Sequence, residues 1–201
     1  MGELHVNMHV TLDGVITANG GPTEQDGDFP YAGWEWAYSD EGSGARLLEI
    51  VEAADALLLG RVTYDIFRAY WPGRTDPIGT AFDRVPKYVA SRRGAELSWA
   101  GTTQVADAAQ IRALKDRHEQ IQTWGSGELL QSLLSEGIVD VLNLWTYPIT
   151  LGVGGRVFQQ GTAATRFALE EPPTAYPSGV VLNRYRRLDG PPETGRAPQQ
   201  G

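Results

Sequence analysis

The chain contains no cysteine, and only three histidines and two methionines occur among its 201 residues. Without cysteine there is no disulfide framework, no cysteine-ligated zinc or iron–sulfur site and no thiol nucleophile. Three histidines make a histidine-based metal centre equally unfavourable, so the sequence predicts no metal ligand. It also lacks an apolar run of about 18 residues and a basic segment followed by an apolar one, which predicts neither a membrane span nor a signal peptide.

Positive charge is scarce as well: 17 Lys and Arg stand against 25 Asp and Glu, a net charge of −8. Nucleic-acid-binding surfaces are typically clustered basic faces, so we expect no nucleic-acid partner. The hydrophobic share of 41% is enough for a packed core, and the length suits one domain. We expect a cytoplasmic domain over residues 1–189, and a disordered tail over 190–201, where Pro, Gly and Gln dominate.

Hydrophobic periodicity predicts alternating helices and strands. Residues 3–11 alternate apolar and polar side chains, which predicts a strand, and a long polar loop follows over 17–44. Predicted helices cover 44–55 and 62–71, begin near Asp107, and run from about 129 to a glycine stop at Gly137. Further predicted strands cover 56–59, 88–90, 121–124, 138–147, 166–170 and 179–188. This order predicts an α/β fold with a mostly parallel sheet and an antiparallel edge formed by the C-terminal strands.

Two glycine-containing turns join predicted strands to predicted helices, at Gly60-Arg61-Val62-Thr63 and at Gly125-Ser126-Gly127. The free N–H groups and the dipole at a helix N-terminus attract phosphate, and an arginine adds a charged donor. Ser91 and Arg92, at the end of another predicted strand, offer a third contact. Three such turns fit a dinucleotide, although strand–glycine–helix turns are also common without any ligand, and neither turn matches the Rossmann or Walker pattern.

The chain resembles the dihydrofolate reductase-like superfamily, and within it the reductase domain of the bifunctional riboflavin-biosynthesis deaminase-reductase. Five motifs carry the resemblance in the right order over about residues 4–188. They are Thr11-Leu12-Asp13-Gly14, Gly60-Arg61-Val62-Thr63-Tyr64-Asp65, Tyr88-Val89-Ala90-Ser91-Arg92, Gly125-Ser126-Gly127-Glu128-Leu129, and Pro148 to Gly155 with its Gly-x-Gly-Gly ending.

The resemblance implies a three-layer dihydrofolate reductase-like fold that binds NADPH and reduces a small pteridine- or pyrimidine-like heterocycle. It places phosphates at Gly60, Arg61 and Thr63, the adenosine 2′-phosphate near Ser91 and Arg92, and the pyrophosphate and nicotinamide along Gly125, Ser126, Gly127, Glu128 and Leu129. It also places Val10 beside the nicotinamide, Asp13 on a loop over the cofactor, and a cis bond at Gly125–Ser126. We expect preference for NADP(H) over NAD(H).

The family's catalytic carboxylate has no clear counterpart in this sequence. The candidates are Asp40, which is otherwise a solvated charge near a helix start, and His9, which is otherwise a structural histidine on a strand. Candidate substrate contacts are Trp34, Trp36, Tyr64 and Tyr147, aromatic side chains that stack on a planar ring or serve the core. Because no proton donor is obvious, the alternative to a reductase is a non-catalytic nucleotide- or flavin-binding protein.

Two further expectations concern assembly and motion. The apolar strand at 138–147, with Leu142, Leu144 and Trp145, predicts a homodimer. The loop at 17–43 is predicted to close over bound ligand as a lid, with a static flap fixed by its tryptophans as the alternative.

Overall fold

The computed structural model describes residues 1–24 and 26–195. A short 3₁₀ helix at Trp34–Tyr38 lies in the long loop after the first strand. The helices are α1 (Glu41–Glu52), α2 (Arg61–Tyr70), α3 (Pro77–Arg84), α4 (Ala108–Leu114) and α5 (Gly127–Ser135). The strands are β1 (Glu3–Thr11), β2 (Ala56–Gly60), β3 (Lys87–Ala90), β4 (Thr102–Val105), β5 (Gln120–Trp124), β6 (Val141–Tyr147), β7 (Arg166–Leu169), β8 (Thr174–Ala175) and β9 (Val181–Leu188).

The strands form one sheet in the order β4-β3-β2-β5-β1-β6-β9-β7, and β8 also pairs with β9. Every pair from β4 across to β6 is parallel. The pairs that β9 makes with β6, β7 and β8 are antiparallel. The predicted parallel sheet with an antiparallel C-terminal edge is confirmed.

Helices cover both faces of the sheet, which confirms the predicted three-layer architecture. One apolar cluster joins Met8 and Val10 of β1 to α4 and α5 through side chains such as Leu114 and Leu133. The second cluster joins the opposite face of the sheet to α1, α2 and α3, with Phe82 at its centre. Alternation along β1 explains the division, because successive side chains of a strand point to opposite faces.

The sequence did not predict α3, β4 or β8, and it began α1 three residues too late. The start of α1 is fixed by a capping box in which the Asp40 carboxylate accepts from Ser43 N–H and the Ser43 hydroxyl accepts from Asp40 N–H. At α3, Asp76 is the N-cap and Pro77 the first helical residue. The Asp-Pro pair begins a helix here. The sequence did not predict it because the same pair is also typical of loops.

Two of the motifs bind each other. The Asp13 carboxylate accepts hydrogen bonds from Leu151 N–H at 3.2 Å and Gly152 N–H at 2.8 Å. The Thr11 hydroxyl also donates to it at 2.6 Å. These bonds hold the pKa of Asp13 at about 2, with the Thr11 contact contributing most. Asp13 therefore fastens the end of β1 to the loop after β6.

At the C-terminus, residues 190–195 are exposed and contain no helix or strand, and residues 196–201 of the predicted tail lie outside the described residues. No helix within the described residues is long and apolar enough to cross a membrane.

The cap of α4 provides a test of the local folding signals. Asp107 is the predicted N-cap, and its carboxylate accepts from Gln110 N–H at 2.9 Å. We expect Asp107→Ala to lower the free energy of unfolding by about 1 kcal/mol, and Asp107→Ser to retain most of it. Urea denaturation measures both. Asp116→Ala, at an exposed position, is the control and should change stability by less than about 0.5 kcal/mol; equal losses for Asp107→Ala and Asp107→Ser would contradict the cap.

Candidate functional site

A cleft of about 1220 Å³ runs along the edge of the sheet where the parallel strands end. Ligands of open α/β folds bind at this edge, beyond the carboxyl ends of the strands. We call one part the glycine end, which is lined by Gly60, Arg61, Thr63, Ser91, Arg92 and residues 125–129. We call the other part the aromatic end, which is lined by His9, Glu35, Trp36, Tyr38, Asp40, Phe67, Tyr70, Trp71, Phe82, Trp124, Trp145 and Tyr147.

The helix N-termini around the cleft differ in how they are capped. The N-caps of α1, α3 and α4 are Asp40, Asp76 and Asp107, and each carboxylate accepts a backbone N–H of its own helix. The N-caps of α2 and α5 are Gly60 and Ser126, and neither makes a side-chain capping bond. Two helix N-termini at the glycine end therefore keep donors for an anion.

These two uncapped turns are in direct contact. Gly60 N–H donates to the Ser126 hydroxyl oxygen at 3.0 Å, and a Cβ built on Gly60 would lie 3.1 Å from that oxygen. Gly125 and Ser126 both have left-handed backbone angles, with φ of 56° and 58°. A non-glycine residue held there stores strain, which is typical of functional turns. All peptide bonds among the described residues are trans, so the expected cis bond at Gly125–Ser126 is wrong.

The predicted phosphate contacts meet at the glycine end. Arg61 is half-exposed and binds the Asp65 carboxylate at 2.8 Å and the Gly94 carbonyl at 2.7 Å. The Thr63 hydroxyl oxygen would lie 3.6 Å from a Cβ on Gly125, so it faces the second turn. Arg92 is exposed beside the cleft at the end of β3. The structure thus brings three chain segments to one anion-compatible surface.

At the aromatic end, His9 lies among aromatic rings. Its ring centroid is 5.6 Å from Tyr147, 5.9 Å from Trp145 and 6.3 Å from Trp124. The Trp124 and Trp145 indole N–H groups are buried without a hydrogen-bond partner. His9 and Tyr147, both candidates from the sequence, therefore line the cleft together.

Glu35 is the functional candidate that the sequence did not reveal. Its carboxylate lies 2.8 Å from His9 Nδ1, and Asn19 Nδ2 donates to it at 2.6 Å. The same His9 nitrogen lies 2.8 Å from the Tyr147 hydroxyl. The Glu35 and His9 side chains are only about one-seventh exposed, at 14% and 13%. An acid, an imidazole and a phenol therefore share one hydrogen-bonded cluster at the cleft wall.

The cluster is suited to holding and releasing a proton. Burial tends to raise the pKa of Glu35, but the hydrogen bond and charge of His9 and the bond from Asn19 outweigh it and lower the pKa below 4.5. Burial, together with the nearby Glu35 charge, raises the pKa of Tyr147 well above its ordinary value. The carboxylate is therefore ionised and the phenol protonated at neutral pH, with His9 between them.

Asp40 lines the cleft, but its oxygens are engaged in the fold. Besides capping α1, its carboxylate accepts from the Ser178 hydroxyl and from Ser178 N–H. The Ser178 and Ser43 bonds lower its pKa. This geometry favours the interpretation of Asp40 as a cap over that of a proton donor.

Four of the predicted site residues do not line the cleft. Val10 lies in the apolar cluster beneath α5, and Asp13 faces the loop after β6. Trp34 is buried and supports Tyr147 edge-on at 5.0 Å. Tyr64 is fully buried, and its hydroxyl accepts from Trp99 N–H at 3.2 Å. Tyr64 is absent from the cleft because it lies on another side of α2. Residues 63, 66, 67 and 70 form the side of the helix that faces the cleft.

The long loop combines fixed and exposed parts. The Trp34 indole donates to the Thr17 carbonyl at 2.9 Å, which ties the loop across its base. Trp36 donates to the Gly20 carbonyl at 2.9 Å yet remains 61% exposed. Closure of this loop on ligand stays a prediction, with Trp36 rather than Trp34 as the aromatic available to a ligand.

The family model of the RibD C-terminal domain matches residues 3–182. Three similar solved structures show the same fold. A putative riboflavin biosynthesis protein from Shewanella sp. PV-4 has a TM-score of 0.67 at 20% identity, covering 93% of this chain and 99% of that one. Dihydrofolate reductase from Enterococcus faecalis, complexed with NADP(H), has a TM-score of 0.59 at 16% identity, covering 94% and 98%.

The third structure is a diaminohydroxyphosphoribosylaminopyrimidine deaminase/5-amino-6-(5-phosphoribosylamino)uracil reductase from Thermotoga maritima. Its TM-score is 0.59 at 14% identity, and the match covers 93% of this chain but 57% of that one. The match accounts for nearly all of this chain and leaves much of the larger protein without a counterpart.

The Glu35–His9 contact predicts how stability depends on pH. The folded-state pKa of Glu35 is below the ordinary 4.5, so its stabilising contribution is complete above that pH and is lost as the pH falls through the lowered value. We expect the stability difference between wild type and Glu35→Gln to shrink as the pH falls below about 4.5. Urea denaturation across this range measures it. Glu52→Gln, at an exposed position, is the control, and a difference that grows in acid would refute the pairing.

The contact between the two turns predicts non-additive mutations. Gly60→Ala places a Cβ 3.2 Å from Ser126 Cβ, so we expect a loss of about 1–3 kcal/mol in unfolding free energy. The loss should be smaller by at least about 0.5 kcal/mol in a Ser126→Gly background, because both crowded atoms are gone. Gly44→Ala is the control, since nothing lies within 4 Å of a Cβ there. Additive effects would show that the turns are not coupled.

Proposed function

The chain belongs to the RibD C-terminal domain family, and from that premise we propose that it is an NADPH-dependent reductase of a small pteridine- or pyrimidine-like heterocycle in the cytoplasm. Reductases of the riboflavin-pathway type and dihydrofolate reductase share its fold. The family resemblance implies the substrate class and the cofactor, and the chemistry of the cleft supports both.

The observation that carries the proposal is the distribution of helix caps within one cleft. The uncapped N-termini of α2 and α5 lie together at the glycine end, beside Arg61 and Arg92. The α-helices α1, α3 and α4 each begin with an aspartate that caps its own helix. A ligand with several phosphates at one end and a planar ring at the other matches this arrangement.

Residues of the glycine end would hold the cofactor. The N–H groups that open α2 and α5 bind the pyrophosphate, and the Arg61 guanidinium adds a charged donor. Ser91 and Arg92 bind the 2′-phosphate that distinguishes NADP(H) from NAD(H). The bound cofactor supplies a hydride to the substrate ring.

The hydrogen-bonded cluster at the aromatic end supplies the proton that accompanies reduction of a ring C=N bond. Glu35 holds His9 in place through Nδ1, and Tyr147 borders the same nitrogen. Trp36 and Tyr147 provide flat apolar surface for the ring. The low exposure of Glu35 and His9 limits exchange of that proton with bulk water.

Cofactor binding and oxidation test the proposal. We expect wild type to bind NADPH more tightly than NADH, and Arg92→Ala to weaken NADPH binding by about 10-fold or more, as loss of a charge-assisted bond predicts, without changing NADH binding. Nucleotide titration followed by fluorescence measures both, and loss of absorbance at the reduced-nicotinamide band with candidate heterocycles measures turnover. Arg93→Ala, at the adjacent exposed arginine, is the matched control.

Equal affinity of wild type for the two cofactors would contradict the assigned 2′-phosphate site. Tight NADPH binding with no oxidation by any pteridine or pyrimidine would instead favour the non-catalytic nucleotide-binding protein.

We also propose a homodimer, although on a narrower basis than the sequence implied. Leu142 and Trp145 of β6 are buried in the protein's own two apolar clusters. Leu144 remains partly exposed, next to the partly exposed Phe167 and Tyr185 on the antiparallel strands. This smaller patch is the surface that a second copy would cover.

A further inference from the structure

We propose that the substrate of this chain is a planar heterocycle that carries no phosphate group; the inference rests on the proposed function. The Thermotoga maritima protein, by contrast, is named for a reductase of 5-amino-6-(5-phosphoribosylamino)uracil, a phosphate ester. The inference follows from the charges, helix caps and aromatic surfaces of the aromatic end.

The ionisable side chains that line the aromatic end are His9, Glu35 and Asp40, and Asp26 of the long loop also lines the cleft. Glu35 lies 2.8 Å from His9, so any positive charge on the imidazole is already matched. Among the described lining residues, the arginines are Arg61 and Arg92, and both belong to the glycine end. The aromatic end therefore offers no unmatched positive charge to a substrate.

Arg74 packs against Tyr70, one of the aromatic residues that line the cleft. Arg74 stacks on the Tyr70 ring, with its guanidinium carbon 4.5 Å from the centroid, and it binds the Asp76 carboxylate at 2.8 Å. It is not one of the residues that line the cleft. Its guanidinium therefore does not belong to the lining of the aromatic end.

The N-termini of α1 and α3 are capped by aspartate as well. The N-terminus of α1 borders this end, and the Asp40 carboxylate fills it by accepting Ser43 N–H at 2.9 Å. At α3, Asp76 accepts Gly79 N–H at 3.0 Å. The N-termini of α1 and α3 are thus each occupied by an aspartate carboxylate, whereas those of α2 and α5 have no side-chain cap. A second anion would be repelled by these carboxylates.

A phosphate ester carries a charge of about −1.5 to −2 at neutral pH and needs cationic or N–H partners when it leaves water. A planar ring without phosphate needs only flat contact and a few polar partners. Trp36, Trp124 and Tyr147 provide the flat surface. The Glu35 carboxylate accepts hydrogen bonds, which favours rings that present N–H or amino groups.

Matched ligands test the inference on the protein saturated with NADP⁺, so that the glycine end is blocked. The probes are 5-amino-6-(5-phosphoribosylamino)uracil and the same compound after removal of its phosphate, titrated by calorimetry. We expect the dephosphorylated compound to bind at least about 10-fold more tightly. The difference in affinity between the two compounds should decrease in high salt, because the screening length falls to about 3 Å at 1 M. Equal or tighter binding of the phosphate ester overturns the inference.

A second measurement does not depend on the ring. Caesium and iodide ions quench tryptophan fluorescence, and the efficiency of each is normalised to a free tryptophan amide. With NADP⁺ bound, we expect caesium to quench the exposed Trp36 at least about twofold more efficiently than iodide, because local carboxylates attract cations. Trp36→Phe identifies that contribution. Iodide quenching equal to or stronger than caesium quenching overturns the inference even if neither uracil binds.

Charge variants separate the local effect from the net charge of the chain. Glu35→Gln with Asp40→Asn should bring the caesium-to-iodide ratio toward one, and Asn keeps the cap of α1. Asp116→Asn removes one charge at an exposed position outside the cleft and should leave the ratio unchanged. An unchanged ratio in the double variant counts against the inference. NADP⁺ affinity, measured first, shows separately whether the proposed function holds.

Discussion

Parallel pairing of β5 with both β2 and β1 is the constraint on which the cleft depends. Ala56 pairs with Ile121, and Leu4 on the other side pairs with the same residue. This register brings the turn after β2 next to the turn after β5, so Gly60 bonds Ser126 across 66 residues of chain. It also sets His9 within reach of Trp124. A one-residue slip would point the side chains of a strand to the opposite face and dismantle both ends of the cleft.

The capping pattern divides the α-helices into two groups. Aspartate caps α1, α3 and α4, whereas α2 and α5 begin with glycine and serine and have no side-chain cap. The two uncapped N-termini lie together at the glycine end, so the local sequence decides where backbone N–H groups stay open to an anion. Ser126, a non-glycine residue with a left-handed backbone, lies at the glycine end, and Ala18 in the long loop is a second such residue.

The sequence predicts most of the fold, because strand alternation, helical stripes and the order of the five motifs are all local signals. It misplaces Tyr64 because motif membership says nothing about helical phase. The sequence does not reveal Glu35, because that residue lies in a loop without hydrophobic periodicity. Its role depends on the contact with His9, which forms only in the folded protein. Trp34 and Trp36, which flank Glu35, are the sequence feature that could have indicated it. Two tryptophans around an acidic residue in a loop indicate that the segment packs against the rest of the protein.

The base of the long loop has a consequence for how this fold diversifies. Gly33 N–H donates to the Ala18 carbonyl at 2.7 Å, and Trp34 bonds Thr17, so the two ends of the loop are fastened together. The entropic cost of closing the loop between these ends rises by only about 0.6 kcal/mol for each doubling of the loop length. Insertions there change the roof of the aromatic end while the strands, the glycine turns and the Glu35 anchor keep their places. The bonds between residues 17–18 and 33–34 therefore allow the loop to vary in length without displacing the glycine end.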